Sequence, residues 1–245
     1  MRIERVKATM HSNSNTIEAD IGEPDGWRRI ARVYRYQEWL ERSAVNTAID
    51  LAGDLNGCRV LDAGAGTGAL AEALHVRGER PSSVVLVDSS RSMLGVAKRR
   101  VGPTDELVHA DLGSIPLDDA SVDIAFINYV LHIVDSAHVP IILDELHRIV
   151  RPGGALVSVT PMPAGRRART VMQAVSRIAA RTPAWRLGGL RPMDPTTVLE
   201  QAGFDISQTR HVGRGYPSLC IRALRPIAAI NESPTLPGSP TAHGT

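Results

Sequence analysis

A glycine-rich stretch, Val60 to Gly68, reads Val-Leu-Asp-Ala-Gly-Ala-Gly-Thr-Gly and passes directly into a helix-forming run that starts at Ala69. Its glycines, Gly64, Gly66 and Gly68, stand at every second position. Glycine lets the backbone approach a ligand where a Cβ atom would collide, and the start of the next helix offers N–H groups without intrahelical partners. The stretch therefore predicts a cradle for a cofactor.

An acidic residue, Asp88, ends the next predicted strand, 20 residues after Gly68. A carboxylate at that place can accept hydrogen bonds from both hydroxyls of a ribose. The alternative is a helix cap, in which Asp88 begins the helix that contains Met93. We favour ribose binding because the spacing from the cradle fits it. Ser89 and Met93 would then flank an adenine, although Met93 is also compatible with a place in the core.

The cradle alone does not decide which nucleotide cofactor it holds. Gly64, Gly66 and Ala69, together with Asp88, also satisfy the looser pattern that binds dinucleotides. A nicotinamide-dependent dehydrogenase is therefore one alternative.

Four further features narrow the choice: Gly68, the acid Asp62 two residues before the first glycine, the run His109-Ala110-Asp111-Leu112, and the run Arg151-Pro152-Gly153-Gly154. Together with the cradle they make the chain resemble the class I S-adenosylmethionine-dependent methyltransferases. The resemblance is to their small-molecule branch, which includes the ubiquinone and menaquinone methyltransferases. It runs from about Trp27 to Arg225, and it is specific for cofactor and fold but weak for substrate.

The resemblance implies S-adenosyl-L-methionine as the cofactor and gives roles to individual residues. Asp62 would serve the methionyl amino end, and Asp111 with the Leu112 backbone would recognise the adenine amino group, a solvated turn being the alternative for Asp111. Asn128 or Tyr129 would border the sulfonium unless they only close a strand. The cofactor-binding candidates are Tyr34, Asp62, Gly64, Ala65, Gly66, Gly68, Asp88, Ser89, Met93, Asp111, Leu112 and Asn128.

Tyr34 is carried over from a Tyr-Asp pair that folds over the cofactor in the resembled family. Here Arg35 takes the place of the aspartate, so this chain departs from the family pattern at that point. The contacts around Tyr34 are therefore not transferred with it.

A catalytic base is less necessary than good positioning. Methyl transfer from a sulfonium is an in-line displacement with a very good leaving group, and holding the nucleophile in place supplies roughly 7 to 11 kcal/mol of the barrier. A general base adds about 3 to 5 kcal/mol. His132, just beyond the fourth predicted strand and near Asp135, is the candidate base, with core packing as its alternative role. No spacing of His, Cys, Asp or Glu predicts a metal site.

Short β-branched runs alternate with helical runs from Cys58 onward, which predicts parallel strands joined by crossover helices. The expected fold class is α/β, a doubly wound, Rossmann-like, mostly parallel seven-stranded sheet with a C-terminal antiparallel strand and an inserted helical lid. Helices are expected from near Trp27 to Gly53 and over 140–150. The strands are expected at 59–63, 84–88, 106–110, 122–128, 155–160, 205–211 and 218–223.

The domain organisation follows from composition. Residues 1–24 are expected to be a poorly ordered lead-in, 25–225 the methyltransferase domain, and the Pro-rich 226–245 a disordered tail. Within the domain, 161–193 holds seven arginines and no acidic residue, with apolar residues at helical spacing. We interpret this insert as a lid over the acceptor pocket. A solvated arginine face and a nucleic-acid surface are the alternatives.

Composition bounds the remaining possibilities. The 245 residues are 43% hydrophobic and 22% charged, which is typical of a globular protein, and a net charge of +2 does not favour a nucleic-acid partner. No apolar run approaches the roughly 18 residues that span a bilayer, so no membrane insertion is expected. The N-terminus does not resemble a signal peptide, so the expected location is the cytoplasm. Cys58 and Cys220 are interpreted as reduced thiols without chemistry.

The expected activity is methyl transfer from S-adenosylmethionine to O, N or C of a small-molecule partner: a secondary metabolite, a quinone or a lipid-like compound. Alternatives are an RNA methyltransferase and an enzyme of the same fold that binds S-adenosylmethionine but performs other chemistry, such as cyclisation. Whether the protein forms a homodimer is left open by the sequence.

Overall fold

The computed structural model describes residues 24–162 and 193–227, with side chains from Gln37 onward. Nearly all of the predicted lead-in, lid and tail lie outside the described residues. Two compact units divide the chain at Trp39 and Leu40. No helix in the described ranges is long and apolar enough to cross a membrane.

Helices and strands alternate over most of the described chain, as the sequence predicts, but no helix lies between the third and fourth strands or between the sixth and seventh. The helices are α1 (Pro24–Ala52), α2 (Ala69–Arg77), α3 (Arg91–Ala97), α4 (Val139–Ile149) and α5 (Thr196–Gln201). The strands are β1 (Arg59–Ala63), β2 (Ser83–Asp88), β3 (Glu106–His109), β4 (Val122–Asn128), β5 (Val150–Pro161), β6 (Asp205–Val212) and β7 (Ser218–Leu224).

The seven strands form one sheet in the order β3-β2-β1-β4-β5-β7-β6. Strands β1 to β5 pair with one another in parallel, whereas β7 runs antiparallel to both β5 and β6. The predicted α/β fold, with a mostly parallel seven-stranded sheet and an antiparallel strand near the C-terminus, is confirmed. Because the order reverses between β1 and β4, a crevice is expected at the carboxyl ends of these two strands.

Both faces of the central strands are buried, which explains their continuous apolar sequences. Leu61, Val85 and Ala125 pack on one face with α4 and α5. Val60, Leu86 and Phe126 pack on the other face with α2, α3 and the part of α1 after Leu40. The period of two along each strand therefore assigns Asp62, Asp88 and Asn128 to the second face.

Strand β5 begins five residues earlier than predicted. The run Arg151–Gly154, which lies between the helix expected over 140–150 and the strand expected at 155–160, is part of the strand. Val122 pairs with Val150 and Ile124 with Ala155. Between these two pairs β5 therefore advances by five residues and β4 by only two. The backbone in this bulge stays paired, since Gly153 donates its N–H to the Arg225 carbonyl at 2.8 Å.

Gly154 sits where the bulge leaves no space for a side chain. An ideal Cβ on it would lie 2.6 Å from the Asp123 carbonyl oxygen and 2.8 Å from that of Arg151. We predict that Gly154→Ala lowers the free energy of unfolding by about 1 to 3 kcal/mol, the usual cost of overpacking. Chemical denaturation of the wild-type protein and of Gly154→Ala measures the difference in the free energy of unfolding.

The matched control is Gly213→Ala, because nothing lies within 4 Å of a Cβ there and its φ is not left-handed. An equal loss of stability in the two variants would show that the bulge does not require glycine at position 154.

Candidate active site

The cradle loop lies at the carboxyl end of β1, where the crevice is expected. Its backbone folds back on β2, because Gly64 and Ala65 both donate their N–H groups to the Val87 carbonyl, at 2.8 and 3.0 Å. Gly68 donates to the Ala65 carbonyl at 2.9 Å and precedes the first residue of α2. All three cradle glycines have a left-handed φ, between +52° and +79°.

The three glycines differ in what surrounds them. A Cβ on Gly64 would collide with the Val130 side chain, and one on Gly68 would lie 3.1 Å from the Cβ of Ala97. A Cβ on Gly66 would meet nothing within 4 Å. Gly64 and Gly68 therefore permit close packing within the protein, whereas Gly66 leaves open space beside the backbone.

The Asp88 carboxylate, half-buried at the end of β2, braces the cradle. Its Oδ2 accepts the Gly66 N–H at 2.8 Å and its Oδ1 accepts the Ser90 N–H at 2.8 Å. Ser90, and not Asp88, is the cap of α3, since its Oγ accepts the Met93 N–H at 3.4 Å. The alternative role of Asp88 as a helix cap is therefore wrong, and its carboxylate lies against the loop that would surround a ribose.

Asp62 is buried at the end of β1, with 3% of its surface exposed. Its Oδ2 has no hydrogen-bond partner among the described residues. Burial, and to a smaller extent the nearby negative charge of Asp88, raises the pKa of this carboxyl to about 7. The group therefore stands near its titration midpoint at neutral pH and would gain from a cationic ligand.

The residues predicted to surround an adenine lie at the ends of β2 and β3. Ala110 donates its N–H to the Asp88 carbonyl at 3.3 Å, and a ring nitrogen of His109 bonds to the Ser89 carbonyl at 2.9 Å. The exposed Asp111 follows directly, and its Oδ1 accepts the Gly113 N–H at 2.8 Å. Leu112 and Met93 are half-buried and Ser89 is exposed.

Asn128 ends β4 across from the cradle. Both polar atoms of its side-chain amide are buried and have no partner in the described part of the chain. A buried amide without partners is costly, which points to a ligand that completes its hydrogen bonds.

Tyr129 follows Asn128 with a left-handed φ of +58°, which is uncommon for a bulky residue. Two bonds fix it: its N–H donates to the Val159 carbonyl at 2.8 Å, and its hydroxyl lies 2.8 Å from Ser218 Oγ. Burial raises the pKa of the Tyr129 phenol, so the group stays protonated. No pattern in the sequence predicts this conformation or the bond to Ser218.

His132 is buried beside Tyr129, and the two rings meet edge to face with their centres 6.2 Å apart. Burial lowers the pKa of His132 to about 4, so the imidazole is neutral at physiological pH. Its Nδ1 is buried and has no partner within the described chain. An unprotonated nitrogen at this position can accept a hydrogen bond or a proton.

The structure thus brings most of the predicted site residues to one edge of the sheet. Tyr34 is the exception: its side chain lies outside the described part, and it belongs to the first unit, so it is not placed relative to the cradle. Within the described ranges, no group of three His, Cys, Asp or Glu side chains could hold a metal ion.

Comparison with known proteins agrees with this geometry. A family model described as a methyltransferase domain matches residues 60–154, from β1 to the bulge of β5. The demethylmenaquinone methyltransferase of Clavibacter sepedonicus is 41% identical over 117 residues, covering 45% of this chain and 46% of that protein. The malonyl-[acyl-carrier protein] O-methyltransferase of Pectobacterium atrosepticum is 33% identical over 132 residues, covering 54% and 50%.

The chain therefore spans about half the length of the curated relatives it matches. Among solved structures, an S-adenosylmethionine-dependent methyltransferase from Mesorhizobium loti superposes with a TM-score of 0.57 at 20% identity, over 76% of this chain and 98% of that one. This likeness concerns the fold. With the family match, it confirms the resemblance found in the sequence: residues 60–154 match a methyltransferase domain, and the class I S-adenosylmethionine-dependent methyltransferases that the chain resembles use S-adenosylmethionine as the cofactor.

Proposed function

We propose that this protein transfers a methyl group from S-adenosylmethionine to an O, N or C atom of a small-molecule acceptor. The observation that carries the proposal is the set of polar groups at the ends of three neighbouring strands. Gly66 leaves open space beside the backbone, and Asp88 accepts its N–H. Asp62 on β1 and Asn128 on the adjacent β4 keep buried polar atoms that have no partner among the described residues. The relatives' names support the acceptor class, since both acceptors, a demethylmenaquinone and a malonyl group on a carrier, lie outside the nucleic acids.

The bonding of the cradle favours this cofactor over a dinucleotide. A pyrophosphate needs free N–H groups. Here the N–H groups of Gly64, Ala65, Gly66 and Gly68 already donate within the protein. The carboxyl groups of Asp62 and Asp88 also disfavour an anion at this place. A ligand with a ribose and an ammonium group suits the same surroundings.

The fit suggests a role for each residue. Asp88 would accept the ribose hydroxyls with its remaining lone pairs while it holds the cradle, and Asp62 would face the methionyl ammonium. Asn128 would border the sulfonium with its amide, and Asp111 and Leu112 would bind the adenine edge. When bound, the cofactor supplies an electrophilic methyl group.

His132 would act on the acceptor side. A base with a pKa of about 4 is weak in water, and a catalytic base is most effective when its pKa lies near the operating pH. We infer that His132 orients the acceptor by accepting a hydrogen bond from it and takes a proton only as the new bond forms. Positioning then accounts for most of the rate.

In the direct test, purified protein is incubated with S-adenosylmethionine and with candidate quinones, phenols, amines and carboxylic acids. Mass analysis should find an acceptor that gains one CH2 unit, together with stoichiometric S-adenosylhomocysteine. Consumption of an added substrate without that gain would favour other chemistry on the same fold. Failure to bind S-adenosylhomocysteine would overturn the proposal altogether.

Gly66→Ala should weaken S-adenosylhomocysteine binding strongly, because its Cβ would occupy the open space beside the cradle. Gly57→Ala is the matched control, since Gly57 also has a left-handed φ and nothing within 4 Å, but lies before β1 at the other end of the strand. Each variant should lose about 1 to 2 kcal/mol of stability from backbone strain. Calorimetry at a temperature where both are folded should find the binding loss in Gly66→Ala alone. Equal affinities would mean that the cradle glycine only makes a turn.

Asp88→Ala should weaken S-adenosylhomocysteine binding by about 1.5 to 3 kcal/mol, the range for hydrogen bonds to a charged group. Because Asp88 also holds Gly66, the test needs the 2′-deoxy analogue of the ligand. Wild-type protein should prefer the ribose form, and Asp88→Ala should lose that preference. If the variant keeps it, the ribose is bound elsewhere.

The pKa of about 7 for Asp62 predicts a pH dependence of binding. The carboxyl is neutral below that value and ionised above it, and only the ionised form attracts the ligand's ammonium group. Affinity for S-adenosylhomocysteine should therefore rise from pH 6 to pH 8, and Asp62→Asn should be weaker and insensitive to pH in this window. Calorimetry in buffers of matched ionic strength tests both, and a pH dependence that survives in Asp62→Asn would refute the assignment.

A further inference from the structure

The segment between β3 and β4, residues 110–121, is held by two side chains of α4. The segment begins with the Asp111 and Leu112 turn at the edge of the site and then crosses to α4. Glu145 and Arg148 stand three residues apart on that helix and contact both each other and the segment.

Arg148 uses all three of its guanidinium nitrogens. Its Nε donates to Glu145 Oε2 at 2.8 Å, and its Nη1 donates to Asp119 Oδ1 at 2.6 Å and to the Leu117 carbonyl at 2.8 Å. Its Nη2 donates to Glu145 Oε1 at 2.8 Å and to the Ile115 carbonyl at 3.1 Å. The planar guanidinium thus fixes two backbone carbonyls in one orientation.

Glu145 completes the attachment from the same side. Its Oε1 accepts the Ile115 N–H at 2.7 Å, so the pair binds both the N–H and the carbonyl of one residue. The hydrogen bonds from Arg148 hold the pKa of Glu145 below its usual value, which keeps the carboxylate ionised near neutral pH. Ile115 itself is buried in the core with 3% exposure.

The attachment is close to the turn that would meet the adenine. Ser114, the neighbour of Ile115, donates its N–H to the Asp111 carbonyl at 3.1 Å. Helix α4 also touches the turn directly, since a Cβ on Gly113 would lie 3.0 Å from Ile141 Cγ2. The orientation of Asp111 therefore depends on how α4 holds the segment that follows it.

We propose that Glu145 and Arg148 are positioning residues that set the Asp111 and Leu112 turn, and that they thereby determine selection of adenine over a 6-oxo purine. This rests on the proposed function, in which that turn binds the adenine edge. A carboxylate accepts a hydrogen bond from the 6-amino group of adenine but meets a carbonyl oxygen in hypoxanthine, so the distinction requires accurate placement of Asp111. In this proposal neither Glu145 nor Arg148 contacts the ligand. Both act through the backbone of the segment 110–121 that they hold.

A purely structural role makes a different prediction. If the pair only stabilised the domain, its loss would lower the melting temperature and weaken every ligand in proportion. The ratio of affinities for two ligands that differ only at position 6 of the purine would then stay constant. This ratio separates positioning from stability.

The experiment measures binding of S-adenosylhomocysteine and S-inosylhomocysteine by calorimetry, below the melting temperature of each protein. The variants are Arg148→Met and, should that chain fail to fold, Glu145→Gln. Arg151→Met is the matched control, because Arg151 makes a similar pair with Asp123 at 2.6 Å near the start of β4. Asp111→Ala measures the full contribution of the carboxylate.

We expect Asp111→Ala to reduce the preference for the adenosyl ligand by about tenfold or more, and Arg148→Met to reduce it by about three- to tenfold, as a misplaced hydrogen bond is only partly lost. Glu145→Gln should act in the same direction, and Arg151→Met should leave the ratio unchanged. An unchanged ratio in Arg148→Met or Glu145→Gln, with a reduced ratio in Asp111→Ala, would overturn the positioning role alone. An unchanged ratio in Asp111→Ala would instead remove the adenine contact on which the proposal rests.

Discussion

Two carboxyl groups at the ends of neighbouring parallel strands constrain the whole site. Asp62 and Asp88 stand close enough for the charge of one to raise the pKa of the other. Asp88 is stabilised by two backbone N–H groups, but Asp62 keeps a buried oxygen without a described partner. An ionised carboxylate in that position is costly unless a cation accompanies it. The folded protein therefore presents a place where positive charge is favoured and a phosphate is not.

The burial of the sheet on both faces determines where this carboxyl group lies. Leu61 and Val60 alternate into separate apolar layers, and Asp62 follows in the same strand with the same alternation. A shift of one residue in the register would exchange the faces and place an apolar side chain where the carboxyl now lies. The hydrophobic pattern of β1 thus fixes the position of its terminal acid.

The sequence predicted the strands well because strands depend on local patterns. The predicted bounds of β1 and β4 agree with the structure, since β-branched runs and glycine-rich turns are read from neighbouring residues. The bulge in β5 was not predicted, because proline and glycine after a helix usually signal a turn, and the pairing of Gly153 with Arg225 joins distant parts of the chain. The helix pair of Glu145 and Arg148 was predictable from its spacing, whereas its bonds to Ile115 were not.

The left-handed turn at Tyr129 joins the two sides of the site. A non-glycine residue in the left-handed region of φ and ψ costs about 1 to 3 kcal/mol of free energy, and it persists only when the surrounding structure holds it there. Its hydrogen bonds to Val159 on β5 and to Ser218 on β7 hold Tyr129 in this conformation. The turn brings the next residue, Val130, against Gly64, which has no Cβ to oppose it. The glycine-rich loop after β1 and the turn after β4 are therefore in direct contact, and a larger residue at position 64 would displace the turn that carries Asn128 and His132.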